Sequence, residues 1–266
     1  GIRPVLWRPG VPGVWEQEVA GAAAVVNLAG ESVMGQRWTP AYTHRILGSR
    51  VDATRSLVDA MRRASRKPGL LISASAVGYY GPRGDEELTE QAGPGLDFLA
   101  TTCRQWEAAA QAAESLGVRV VRLRLGMVLD AGGGALAKML PPFRLGLGGP
   151  VGSGRQWVSW IHREDLTGLM TFLLQQPDAA GPVNAVAQNP VTMRDFAKTL
   201  GRILHRPALL PVPSAVVRLL VGEAADLVLT GQRVLPAAAV RMGFAFRYPT
   251  LPDALAACLP PPSGGS

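Results

Sequence analysis

Hydrophobic and polar positions along the chain follow two different periods. Ala23–Leu28, Leu70–Ser73 and Val118–Leu125 are short apolar-rich runs bounded by turn-forming or polar segments, the pattern of buried strands. Between the first two, Pro40 to about Arg66 carries Ile46, Val51, Leu57, Val58 and Met61 at roughly helical spacing. Asp97–Leu116 reads as a helix, with Asp97 as its N-cap and Gly117 as its stop. Val5–Trp7 reads as a short strand or lead-in. Strand and helix signals that alternate in this way predict a parallel sheet with crossover helices.

The second half is less regular. Ala131–Gly154 is Gly-rich and holds Pro141, Pro142 and Pro150, so it reads as irregular chain. Arg155–Ile161 is strand-like, and Trp160–Leu166 joins a strand to a helix, with His162 near the helix start in a structural role. Thr192–Leu204 reads as a helix capped by Thr192, Pro207–Pro213 as extended and Ser214–Val221 as helical. A terminal helix is expected from Pro249 to Leu259, begun near Thr250 with Pro252 in its first turn. Pro260–Ser266 reads as a tail.

The expected fold is therefore α/β with a doubly wound parallel sheet; the family resemblance set out below implies that it is Rossmann-type, with a small mixed C-terminal lobe on the substrate side. Residues 1–130 form the core in this reading, and 155–190 return to it. Residues 131–154 and 191–259 form the lobe, and 260–266 the tail. The chain enters at Gly1 with no Gly-rich phosphate turn ahead of its first buried strand, so the reading has the sheet truncated at its N-terminal end.

Composition narrows the function classes. Hydrophobic residues make up 47% of the chain, which favours a buried core over disorder. No apolar run approaches the roughly 18 residues of a membrane span, so no membrane association is expected. The net charge of +7 raises nucleic acid as a partner. Against it, only three Lys occur and the Arg residues are scattered; the densest basic cluster, Arg62, Arg63, Arg66 and Lys67, sits at a predicted helix end. A small-molecule substrate is expected instead, and nothing in the sequence fixes an oligomeric state. Cys103 and Cys258, with His44, His162 and His205, show no ligand spacing. No metal site is expected, and a reducing cytoplasm is the default compartment.

Two strand ends carry candidate chemistry. Open parallel sheets bind ligands at the carboxyl ends of their strands. Asn27-Leu28-Ala29-Gly30 sits at one such end, where small residues let a cofactor approach the backbone. Ser73-Ala74-Ser75, followed by Tyr79-Tyr80-Gly81, places hydroxyls and aromatics at another. Gly146–Gly152 matches a Gly-rich loop in form only. Pro150 interrupts it and a strand-like run follows, whereas a phosphate loop must open a helix.

Taken together, VVNLAGE, ILGSR, SASAVGYYG, QWEAAA, PPFRLGLGGPVGSG, WIHREDL, TGQRVLP and MGFAFRYP span nearly the whole chain. The combination resembles the extended or atypical short-chain dehydrogenase/reductases, and within them the NAD-dependent epimerase-like branch that includes the human member 39U. The resemblance implies a Rossmann core with NADP(H) as cofactor, NAD(H) remaining open. It implies contacts to the dinucleotide from Asn27, Leu28, Ala29, Gly30 and Arg50, with Ser73, Ala74 and Met127 lining its nicotinamide end. Ser75 matches the Ser of the superfamily's catalytic set.

The superfamily's Tyr-x-x-x-Lys pair is absent, and Cys103 and Glu107 stand one helical turn apart where it is expected. Ser75 would polarise a carbonyl, Tyr80, or in its place Tyr79, would stand in as acid/base, and Glu107 would assist. The reading is an NADP(H)-binding oxidoreductase or sugar-nucleotide-epimerase-like enzyme with an altered dyad. Its alternative is a catalytically degenerate NADP(H)-binding regulator.

Overall fold

A run of parallel strands needs a crossover after each strand, and the longest helices supply them. The computed structural model describes residues 1–259. The chain passes through α1 (Glu16–Val19), β1 (Ala24–Asn27), α2 (Pro40–Arg63), β2 (Leu70–Ala76), β3 (Glu87–Leu88), α3 (Phe98–Gln111), β4 (Arg119–Leu125) and β5 (Met127–Leu129). There follow α4 (Gly134–Arg144), β6 (Trp157–Val158), β7 (Trp160–His162), α5 (Arg163–Gln175), β8 (Gly181–Ala185), β9 (Val191–Thr192) and α6 (Met193–Ile203). α7 (Ser214–Val221), α8 (Asp226–Leu229), β10 (Arg233–Val234), α9 (Ala237–Arg241) and α10 (Leu251–Cys258) come last.

β1, β2, β4 and β8 form a parallel sheet in that order. One face packs Leu71 and Val120 against Leu57, Val58 and Met61 of α2 and Ala110 of α3. The other packs Ile72, Val121, Leu123 and Val183 against Leu169 and Leu173 of α5 and Ala238 and Ala239 of α9. Helices on both faces bury the central strands β2 and β4, which is why these lack a clean polar alternation, while Val26 of the edge strand β1 stays exposed. This is the expected doubly wound arrangement. A further apolar cluster joins Leu136, Leu140 and Phe143 of α4 to Phe196 and Leu200 of α6 and to Leu251 and Leu255 of α10.

The caps follow the sequence signals. Side-chain oxygens of Thr39, Asp97, Thr192 and Thr250 accept the amides of Tyr42, Ala100, Asp195 and Asp253, opening α2, α3, α6 and α10. Gly117 ends the α3 region with φ 78°, a conformation that costs a residue with Cβ energy. His162 Nδ1 accepts the Glu164 amide at the start of α5, the structural role expected of it.

One open alternative is decided and two expectations change. Val5–Trp7 is a lead-in and forms no strand. α2 stops at Arg63, three residues short of the expected end. The segment read as irregular contains the helix α4, with Pro141 and Pro142 inside it. Leu136, Leu140 and Phe143 lie at helical spacing and are all buried there, and that burial outweighs the backbone bonds the prolines forgo near the helix end. The expected tail, 260–266, lies outside the described residues.

Candidate active site at the carboxyl edge of the sheet

Register partners in a parallel sheet project from the same face. Ser75 pairs with Arg124, and Arg124 with Asn184, so three polar side chains form one row across β2, β4 and β8. All three are buried. The same face is apolar nearer the strand starts, so its polarity is concentrated toward the carboxyl ends.

α3 closes over this row and inserts Glu107. Arg124 Nε and Nη2 donate to the two carboxylate oxygens of Glu107 at 2.8 and 2.9 Å, a bidentate pair. Ser75 Oγ donates to Glu107 Oε1 at 2.8 Å. Arg124 Nη1 also donates to Tyr80 Oη at 2.9 Å, and Tyr80 Oη donates to Asn184 Oδ1 at 2.7 Å. The Tyr79 ring covers the guanidinium, 3.5 Å from its centroid. Burial works against the Arg124 charge, but the carboxylate of Glu107 and the Tyr80 hydroxyl more than offset it and hold the guanidinium protonated above its ordinary range.

This geometry fixes which atoms are free. A carboxylate facing a guanidinium only accepts, so Ser75 is the donor in their bond. Its lone pairs are what remain for a ligand, and donation to a carbonyl requires it first to release Glu107. Tyr80 is fully enclosed, with its hydroxyl engaged on both sides. Burial pushes its pKa up. Cys103 is buried beside this cluster, and burial followed by the Glu107 charge pushes its thiol up to about 11.

A second group of expected residues gathers after β1. Asn27 is buried; its Nδ2 donates to Thr54 Oγ1 at 2.9 Å and its Oδ1 accepts the Ala29 amide at 3.2 Å. The side chain therefore shapes the turn that leads to Gly30. Leu28 projects outward and is 55% exposed. Arg50 lies against Gly30, where an added Cβ would come 3.1 Å from its guanidinium carbon. Its Nη1 donates to Ile46 O at 2.9 Å, and burial lowers its pKa.

Trp106 ties the two groups together. It neighbours Glu107 in sequence, donates to Thr54 Oγ1 at 3.0 Å, and lies 5.2 Å from the Arg50 guanidinium. Ser73 and Ala74 are buried within β2, and Ser73 Oγ has only a long 3.5 Å contact to Ala74 O. Met127 is half-buried, with its amide on Ser159 O at 2.8 Å. Before it, Gly126 has no room for a side chain, because a Cβ would meet Ser159 O at 2.5 Å.

Ser75, Tyr80, Cys103 and Glu107 thus gather at one place, and Asn27, Ala29, Gly30 and Arg50 at a neighbouring one. Sequence reasoning missed Arg124, Asn184 and Glu90. Glu90 Oε1 accepts the amides of Asn184 and Ala238 at 2.9 and 3.1 Å. The available signal was an arginine at every other position of RLRL, which a strand buried on both faces does not carry without partners. An open groove of about 410 Å³ runs along the outer side of α3 and reaches Tyr79, Glu107, Arg104 and Arg122. None of Asn27, Gly30 and Arg50 lines it, so it is distinct from the turn after β1. Among the described residues no three His, Cys, Asp or Glu gather as metal ligands, and no helix is long and apolar enough to cross a membrane.

The model of the NAD dependent epimerase/dehydratase family matches residues 13–186. The chain belongs to that family. A domain of unknown function, DUF1731, matches residues 212–258 of this family member. It is 44% identical to the chloroplastic SDR39U1 homolog of Arabidopsis thaliana, an epimerase family protein, over 92% of this chain and 71% of that one. It is 41% identical to the epimerase family protein YfhF of Bacillus subtilis, over 90% and 79%. The crystal structure of human SDR39U1 (isoform 2) with NADPH superposes with a TM-score of 0.85 at 37% identity, covering 93% of this chain and 88% of the human one.

Proposed function

We propose that this epimerase/dehydratase family member binds NADP(H) across the turn at Asn27–Gly30 and the end of β2, and acts on a small-molecule substrate as an oxidoreductase or epimerase-like enzyme. The observation that carries the reading is the buried Ser75–Glu107–Arg124 junction at the carboxyl end of β2, beside Arg50 packed on Gly30. The human relative's crystal structure with NADPH supports the choice of cofactor. The residues suit a dinucleotide: small side chains at Ala29 and Gly30 leave the backbone approachable, and Arg50 offers a cation for a phosphate or ribose. Bound there, the cofactor would supply a hydride donor or acceptor.

In this reading Ser75 carries the proton. It accepts a substrate hydroxyl proton while passing its own to Glu107, and Arg124 holds Glu107 in place for the exchange. Tyr80 and Cys103 hold the cluster's shape, and residues 131–154 and 191–259 shape the substrate pocket. A second reading, a non-catalytic NADP(H)-dependent regulator, is favoured by the enclosed Tyr80 hydroxyl and the protonated Cys103, which leave no free phenol or thiolate in the cluster.

NADPH fluorescence titration tests the cofactor. Arg50→Ala should weaken binding by about one to two decades, the worth of one charge-assisted hydrogen bond. Single-turnover assays with alcohol and carbonyl panels then separate the readings. Turnover abolished by Ser75→Ala supports the enzyme, tight binding without turnover supports the regulator, and no NADPH binding sinks both.

A further inference from the structure

Two stretches, 131–163 and 196–222, contain none of the chain's 20 Asp and Glu residues but eight of its Lys and Arg. They meet in space. Arg206 Nε donates to Arg144 O at 3.0 Å, the Leu210 amide to Gly148 O at 3.4 Å, and the Val212 amide to Pro150 O at 2.9 Å. α7 starts two residues beyond Val212.

The face so formed is aliphatic and outward. Leu145 is 74% exposed, Leu147 59% and Leu209 80%. On α7, Val216, Leu219 and Leu220 fall at helical spacing and are exposed, Leu219 to 74%, whereas Val217 is buried. Single exposed leucines need no explanation, but a grouped set on adjoining elements does. Arg144, Arg202 and Arg206 are exposed cations within the two stretches, and the exposed carboxylates Glu223 and Asp226 follow just beyond α7. Among the eight cations, Arg218 on α7 pairs with Asp226 at 2.9 Å and Arg163, at the end of the first stretch, with Asp130 at 2.9 Å.

We propose that this face docks on the surface of an anionic phospholipid bilayer. Leucines at protein–water boundaries gain by entering the headgroup–acyl boundary, and arginines gain from lipid phosphate. The absence of carboxylates within both stretches lowers the repulsion that an anionic surface would otherwise meet, and Asp226 beyond α7 is paired with Arg218. This contact is peripheral. It narrows the expectation of no membrane association, which rested on the lack of a spanning segment, and it is independent of the cofactor reading.

The test is co-sedimentation of the full chain with phosphatidylcholine vesicles, with and without phosphatidylglycerol. The wild type should pellet with the anionic vesicles only, and less at high salt. Leu209→Ser with Leu219→Ser, and separately Arg144→Gln with Arg202→Gln, should each weaken binding about tenfold or more at unchanged melting temperature. Equal binding to neutral vesicles, or full binding by the leucine variant, overturns the proposal. So does a wild type that ignores vesicles and forms a dimer which the leucine variant splits, because the face would then join two copies of the chain.

Discussion

Arg124 is the residue whose removal should most disturb the site, and the size of the effect can be worked out. Arg124 is 3% exposed and Glu107 4%. Arg124→Met keeps most of the side chain's volume but leaves the Glu107 carboxylate facing Ser75 alone. Breaking a buried pair by removing one partner costs about 3–5 kcal/mol, because the remaining charge stays desolvated. The lost bond to Tyr80 adds about 1 kcal/mol. In a domain of this size each kcal/mol moves the melting midpoint by roughly 2–4 °C, so a fall of about 10 °C or more is expected.

The informative arm is the double variant Arg124→Met/Glu107→Leu. With both charges gone, nothing is left uncompensated, and the pair should recover about half the loss or more. Arg124→Lys keeps a charge but not the fork, and should fall between the wild type and Arg124→Met. Equilibrium urea unfolding at pH 7, followed by circular dichroism and tryptophan fluorescence, measures all four proteins. If Arg124→Met lies within about 1 kcal/mol of wild type, or the double variant is no more stable than the single, the account of a desolvated carboxylate held by one arginine is wrong.

Three further outcomes are expected. Asn27→Ala removes the bonds to Thr54 and to the Ala29 amide; it should cost about 1–3 kcal/mol in thermal and urea unfolding and weaken NADPH binding, and an unchanged melt with unchanged affinity would show that the turn shapes itself. The Cys103 and Cys258 thiols, each pushed up to about 11 chiefly by burial, should react slowly with iodoacetamide in the native protein at neutral pH. Because the folded thiols hold their protons more tightly than a thiol at the ordinary 9.0, they add stability below about pH 9 that is lost as pH rises toward 11. Cys103→Ala should therefore flatten the alkaline loss, and rapid stoichiometric labelling of the native chain at pH 7 would contradict the burial argument.

Local chemistry made much of the fold legible in the sequence. Apolar runs and helical spacing predicted β1, β2 and β4 with the crossover helices α2 and α3 but not β8, and Asp97, Thr192, Thr250 and Gly117 marked helix ends, because caps and stops act through neighbours a few residues away. The same local rule misread 131–154. Gly and Pro there suggested irregular chain, but α4 is held by distant partners on α6 and α10 that a local pattern does not contain.

The candidate site divides in the same way. Its positions could be read, because Ser75, Glu107 and Asn27 stand in recognisable motifs. Their partners could not. Glu107 meets Arg124 across 17 residues, Tyr80 meets Asn184 across 104, and Glu90 meets the Ala238 amide across 148. A titratable group's role depends on the charge and hydrogen bonds that face it, and those come from other strands. The sequence therefore placed Asn27, Ser75 and Tyr80 at the carboxyl edge of the sheet, but not Arg124 or Asn184 beside them. Only the tertiary structure decided that Ser75 points its proton at Glu107, that Arg124 balances the carboxylate, and that the Tyr80 hydroxyl is enclosed.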